Sequence, residues 1–180
     1  GDPVRHGLIK SVNRPGGNVT GILFNQTVLG AKRVELLKEI VPGLSRFALL
    51  MNPNNPNVRA EQTDAEAGAA TLAVDVVVIE ARNNAEIDAA FEQMAKASIH
   101  ALITGTDPIL LDRREQIVPL ALRNKIAAMC FVRQFALAGG LVSYGPSISW
   151  MYRQAGEYVG QILHGANPAE MPVLQPTHFE

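Results

Sequence analysis

The chain has 180 residues, 47% of them hydrophobic, with 16 basic against 17 acidic side chains and a formal net charge of -1. That balance fits a soluble globular protein with a sizeable core, and it argues against the basic face that nucleic-acid binders and membrane-surface proteins need. No apolar run approaches the roughly 20 residues of a spanning helix, and a single cysteine, Cys130, leaves no internal disulfide to form.

In chain order, Asp2-Pro3-Val4 reads as a helix start, with Asp2 as N-cap, Pro3 at the first helical position, and Val4, Leu8 and Val12 on one face. Val19 to Leu23 is a short strand candidate. Gly30 then leads into an amphipathic helix with Val34, Leu37 and Val41 in phase, stopped by Pro42-Gly43. Phe47-Ala48-Leu49-Leu50-Met51 is an unbroken apolar run ending in Asn52-Pro53-Asn54-Asn55-Pro56-Asn57, the pattern of a fully buried parallel strand followed by a loop and a helix.

The alternation then continues regularly. A helix capped by Asn57 runs to about Leu72, and Val74 to Ile79 is the next strand. Asn83 and Glu86 form a capping box for a helix burying Ile87, Phe91 and Met94. Ala101 to Thr104 is a strand, Asp112 and Glu115 repeat the capping-box spacing before a helix containing Pro119, and Ala127 to Phe131 is a strand. A short helix ends at Gly139-Gly140, and Leu141 to Tyr144 is the last strand. Ser147 opens a long helix that turns Ile148, Met151, Ala155, Val159 and Ile162 inward and closes at Gly165. Strands separated by helices force parallel neighbours. The expected fold is therefore α/β, a doubly wound five-stranded parallel sheet in the order 2-1-3-4-5, whose switch point lies between the Phe47 and Ala101 strands.

In such sheets ligands bind beyond the carboxyl ends of the strands, at the switch point. Asn52, Asn54 and Asn55 offer amide donors and acceptors beside a helix N-terminus suited to a carboxylate, although the same residues also make a good turn. Across the switch point, the hydroxyls of Thr104 and Thr106 can hydrogen-bond a carboxylate and Asp107 can pair with an ammonium group, while Asp107-Pro108 is equally a helix cap. Phe131 and Tyr144 end neighbouring strands and are placed to wall an apolar part of a ligand; Phe131 reads first as core, Tyr144 as site. Cys130, inside an apolar strand, reads as a buried hydrophobe. His6, His100, His164 and His178 lack ligand spacing, so no metal site is expected. No nucleophile, base and orienter assemble, and no phosphate-binding glycine motif occurs, so neither catalysis nor a cofactor is expected.

Several motifs, kept in order along the chain, resemble a known family. They are Gly1-Asp2-Pro3-Val4, Arg14-Pro15-Gly16-Gly17-Asn18-Val19-Thr20-Gly21, the stretch Gly30 to Gly43, Gly139-Gly140-Leu141-Val142-Ser143-Tyr144-Gly145-Pro146, and Pro172 to Glu180. They resemble the bacterial ABC-transporter substrate-binding proteins of the tryptophan-binding-like group. The resemblance implies a type I periplasmic binding protein that holds a small amino-acid-like solute between two α/β lobes and delivers it to an ABC permease subunit in the membrane. It also implies an extracytoplasmic, periplasmic setting, with any signal peptide removed before this numbering begins.

On the same reading residues 1–24 are a first-lobe fragment, 25–172 the second lobe, and 173–180 a hinge crossing back towards the first lobe. Such a fragment is expected to form a homodimer through residues 1–24 with the extended tail near them, disorder of that segment being the competing outcome. The alternative function is a ligand-sensing domain of a regulator or signalling protein, which would share the fold.

Overall fold

A computed structural model of the protein describes residues 3–4, 6–24 and 29–180, so the expected Asp2 cap lies outside the described residues. The chain divides into two compact units, Gln26–Gly145 and Gly1–Asn25 with Pro146–Glu180.

The first unit runs α1 (Gly30–Ile40), β1 (Arg46–Met51), α2 (Val58–Thr71), β2 (Asp75–Glu80), α3 (Asn84–Lys96), β3 (Ala101–Thr104), α4 (Pro108–Asp112), α5 (Arg114–Arg123), β4 (Ala127–Cys130), α6 (Arg133–Leu137) and β5 (Val142–Ser143). Its strands form one sheet in the order β2-β1-β3-β4-β5, with every pairing parallel. This is the expected α/β doubly wound arrangement. β1 and β3 are direct neighbours, with Leu50 opposite Thr104, so the loops leaving them meet at the carboxyl edge.

The sheet is buried on both faces, which is why β1 is apolar without alternation. Phe47, Leu49 and Met51 share a cluster with Val34 and Leu37 of α1, Ala65 and Ala69 of α2, Ile103 and Met129. The period of two sends Ala48, Leu50 and Leu102 to the opposite face.

Helices α1 and α2 approach very closely. A Cβ on Gly68 would stand 2.5 Å from the Ala31 Cα, and one on Gly30 would stand 2.8 Å from the Ala65 nitrogen. The N-cap position of α1, Leu29, makes no side-chain cap. A carboxylate oxygen of Asp64 on α2 accepts from the Ala31 N–H at 3.1 Å instead, so the start of one helix is closed by its neighbour.

Three helices end by one device that sequence reading missed. Ala73, Ser98 and Lys125, just after α2, α3 and α5, have φ of 52°, 52° and 54°. Val74, Ile99 and Ile126 then donate back to the carbonyls of Ala69, Met94 and Ala121 at 3.0, 2.9 and 2.9 Å. These are Schellman ends built without glycine, and each delivers a buried aliphatic residue into the next strand.

The capping box of α3 forms as expected, with Asn83 accepting from Glu86 N at 3.1 Å. That expected at Asp112 and Glu115 does not. Asp107 caps a separate short helix, α4, in which Asp112 is the final residue, and α5 follows from Arg113 without a side-chain cap. Asn57 occupies the N-cap position of α2 with no side-chain capping bond.

The second unit contains α7 (Ile148–Leu163), opened as expected by Ser147, whose hydroxyl accepts from Trp150 N. The helix expected over Val4–Val12 is a turn. Leu8 N reaches back to the Pro3 carbonyl and Gly7 takes φ +69°, which stops a right-handed helix there. The strand expected over Val19–Leu23 reduces to one parallel bridge, Ile22 with Leu174. The tail returns alongside: Val173 N donates to the Val12 carbonyl, Phe179 bridges Pro146, and His178 stacks on Trp150 with centroids 5.1 Å apart.

No residue of α7 is buried. The apolar residues expected to face inward do share a face, but it lines an open groove of about 520 Å³ together with Ile22 and Phe24. The compact sheet unit spans Gln26–Gly145, and α7 groups with the N-terminal segment.

Candidate functional site at the carboxyl edge of the sheet

At the switch point the two loops form one hydrogen-bonded body. Asn55 Nδ2 donates to an Asp107 carboxylate oxygen at 2.8 Å and to the Thr106 carbonyl at 3.0 Å. Asn52 Nδ2 donates to the same Asp107 oxygen at 3.3 Å. Within the first loop, Asn52 Oδ1 accepts from Asn54 N at 3.0 Å and Asn55 Oδ1 accepts from Asn57 N at 2.9 Å. These self-bonding Asx turns explain why a run of Asn and Pro holds one shape. The other oxygen of Asp107 accepts from Ile109 N and Leu110 N at 2.8 and 3.4 Å.

The expected site residues therefore fall into two groups. Asn52 and Asp107 are buried, and their polar atoms bond to the loops themselves. Thr104 is fully buried beside the Cys130 thiol. Phe131 is buried with its ring edge-on to Phe135 at 5.5 Å, a core contact. Asn54 is exposed and Asn55 and Thr106 are half-buried, and these three lie at the polar rim of the loops; Tyr144, also half-buried, packs against the core cluster. Cys130 is fully buried, and burial pushes its thiol up to about 12, which leaves no thiolate for nucleophilic chemistry at neutral pH.

Two charged residues beneath the rim were missed. Arg33 of α1 is 0% exposed and Glu61 of α2 is 4% exposed. Arg33 donates through Nη1 to Glu61 Oε1 at 3.1 Å and through Nε to the Tyr144 carbonyl at 2.9 Å. The Glu61 carboxylate accepts from the Thr106 N–H at 2.9 Å and from its hydroxyl at 2.6 Å. Burial raises the Glu61 carboxyl above its usual range, against the opposing pull of Thr106 and Arg33, and burial likewise lowers the Arg33 guanidinium. The signal in the sequence was phase: Arg33 shares the inward face of Leu37, and Glu61 that of Ala65 and Ala69.

A doubly wound parallel sheet with amide and hydroxyl groups gathered at its switch point has the fold of a periplasmic-binding-protein-like lobe. The chain belongs to the ABC transporter substrate binding protein family, whose profile matches residues 1–180. It is 25% identical over 172 residues to a tyrosine-binding protein of Clostridioides difficile, a match covering 96% of this chain and 49% of that protein. Among solved structures, a conserved domain protein from Vibrio cholerae matches with TM-score 0.86 and 24% identity, over 99% of this chain and 60% of that one. An ABC domain in complex with L-Trp from Streptococcus pneumonia matches with TM-score 0.83 and 23% identity, over 99% of this chain and 61% of that one. The chain thus spans about half the length of the curated relative and about three fifths of these solved chains.

Proposed function

We propose that this chain supplies one lobe of the solute-binding component of an ABC importer, and that the rim of Asn54, Asn55 and Thr106, together with Tyr144, contacts a small amino-acid-like solute. The observation carrying the reading is that both switch-point loops are locked by internal bonds, through Asn52 and Asp107, into a preformed polar edge. A preformed site lowers the ordering cost of binding. On this reading Thr104 and Phe131 support the loops from the core, the protein performs no catalysis and works outside the cytoplasm, and its partner is an ABC permease subunit in the membrane.

The amino-acid class is supported by the relatives named for tyrosine binding and for an L-Trp complex. Residues 1–24 and 173–180 belong, on the same reading, to a first lobe and its hinge crossing, and the solute is completed from that lobe. The regulator alternative shares the fold, and the family match along the whole chain supports transport over it. Titration calorimetry of the full-length protein against L-tyrosine, L-tryptophan and other amino acids tests the proposal. Saturable one-to-one binding that Tyr144→Ala weakens is expected. Binding of no amino acid would remove the solute class, and binding untouched by changes at Asn54, Thr106 and Tyr144 would remove the site.

A further inference from the structure

Taking a guanidinium and a carboxylate out of water is costly, and a well-packed hydrophobic pair holds two helices together at least as well. Arg33 and Glu61, both buried, are therefore not needed merely to join α1 to α2. An ion pair differs from an apolar pair in presenting directed polar atoms. Here those atoms reach the rim and the residue after β5: Glu61 holds both the N–H and the hydroxyl of Thr106, and Arg33 holds the carbonyl of Tyr144. Thr106 follows β3 and Tyr144 follows β5, and these strands are separated by β4, so no ladder bond joins them directly.

We propose that the buried Arg33–Glu61 pair is a positioning device that fixes Thr106 and Tyr144 at one mutual spacing and so sets which solute the rim accepts. The specificity part rests on the reading of that rim as the solute site; the positioning part does not. Asn55 holds the Thr106 carbonyl from the other side at 3.0 Å, so loss of Glu61 frees one anchor of the loop without releasing all of it.

The test is a double variant, Arg33→Met with Glu61→Leu, which removes both charges together and leaves no buried ion unpaired. Hydrogen exchange is followed at individual amides. Amides of Ala48, Leu49 and Leu50 in β1 are expected to keep their protection, while the Thr106 amide, having lost its acceptor, exchanges about tenfold faster. Unchanged protection at Thr106, or loosening spread evenly over the sheet, overturns the proposal.

If the double variant fails to fold, Glu61→Asp retains the charge balance and withdraws the carboxylate by one methylene. The same selective loss at Thr106 is expected of it, and its absence overturns the proposal equally. L-tyrosine and L-tryptophan are titrated in parallel into full-length protein. About tenfold weaker binding, or an altered preference between the two, at an unchanged thermal midpoint supports the specificity part. Unchanged affinity and preference overturn it. If the unaltered protein binds neither amino acid, the solute reading fails alone, and the exchange result still decides the positioning role.

Discussion

At the scale of single residues, Asp107 shows how a group that looks like a ligand contact becomes a brace. Its carboxylate accepts from four donors, the amides of Asn52 and Asn55 and the backbone N–H groups of Ile109 and Leu110. Asp107→Ala leaves those four donors, two of them buried on Asn52 and Leu110, without a charged acceptor, so it should cost about 1–3 kcal/mol of stability as well as weakening solute binding. Urea unfolding beside calorimetry checks this, and a variant of unaltered stability with unaltered affinity would free Asp107 from both roles. Glu86 offers a pH test. The Arg82 backbone N–H, together with its guanidinium and Asn83, holds the exposed Glu86 carboxyl below the usual carboxylate range. A depressed carboxyl contributes stability that is complete above its unfolded pKa, near 4.5, and lost as pH falls through the lower folded value. Acid titrations of thermal stability should show that loss in the unaltered protein and a flatter acid limb in Glu86→Gln.

At the scale of elements, small residues and helix ends decide how the layers fit. Gly68→Ala places a Cβ 2.5 Å from backbone, where relief requires α1 and α2 to separate. Overpacking of this kind costs roughly 1–3 kcal/mol. Gly156→Ala on α7 meets nothing within 4 Å, and there the gain in helix propensity should stabilise by about 0.5–1 kcal/mol. Opposite signs for the same substitution are the expected outcome in thermal unfolding; stabilisation by both would show that the α1–α2 contact relaxes freely, and destabilisation by both would remove the gain expected at Gly156. The Schellman ends give a companion expectation. Ser98, held at φ 52°, should gain about 0.5–1 kcal/mol on replacement by glycine, because the Cβ penalty of the left-handed region is removed.

At the scale of the whole molecule, the open groove along α7 is an apolar surface left uncovered among the described residues. Val159 and Ile162, which line the groove, are 56% and 37% exposed, and burying such side chains is worth roughly 1.5–3 kcal/mol each. We propose a second copy of the chain as its occupant, with Thr20, Gly21, Ile22 and Phe24, which line the same groove, taking part in the contact. Light scattering on the 180-residue chain should show a concentration-dependent dimer that Val159→Glu returns to monomer. A monomer at every concentration would remove the second copy, and a dimer indifferent to Val159→Glu would place the interface elsewhere.

The order of strands and the position of the rim were legible because both follow from local pattern. Phe47 to Met51 is apolar without interruption because it is buried on both faces, and the Asn-Pro run after it marks a loop at the edge where parallel sheets bind ligands. The helix starts at Asn83 and Ser147 were legible for the same reason, since a cap is a contact within three residues. The turn that Leu8 closes onto Pro3 was not, because Pro3 and the Val4-Leu8-Val12 spacing suit a helix and only the backbone shows Gly7 turning left-handed. Nor were the Schellman ends, where tertiary packing of Val74, Ile99 and Ile126 holds non-glycine residues at positive φ. Which polar residues face outward and which brace the loops was settled only by contacts between Asn52 or Asn55 and Asp107, more than fifty positions away. The Arg33–Glu61 pair completes the distinction: each residue alone resembles a charge at the margin of an amphipathic helix, and only the crossing of α1 over α2 turns the two into one buried contact beneath the rim.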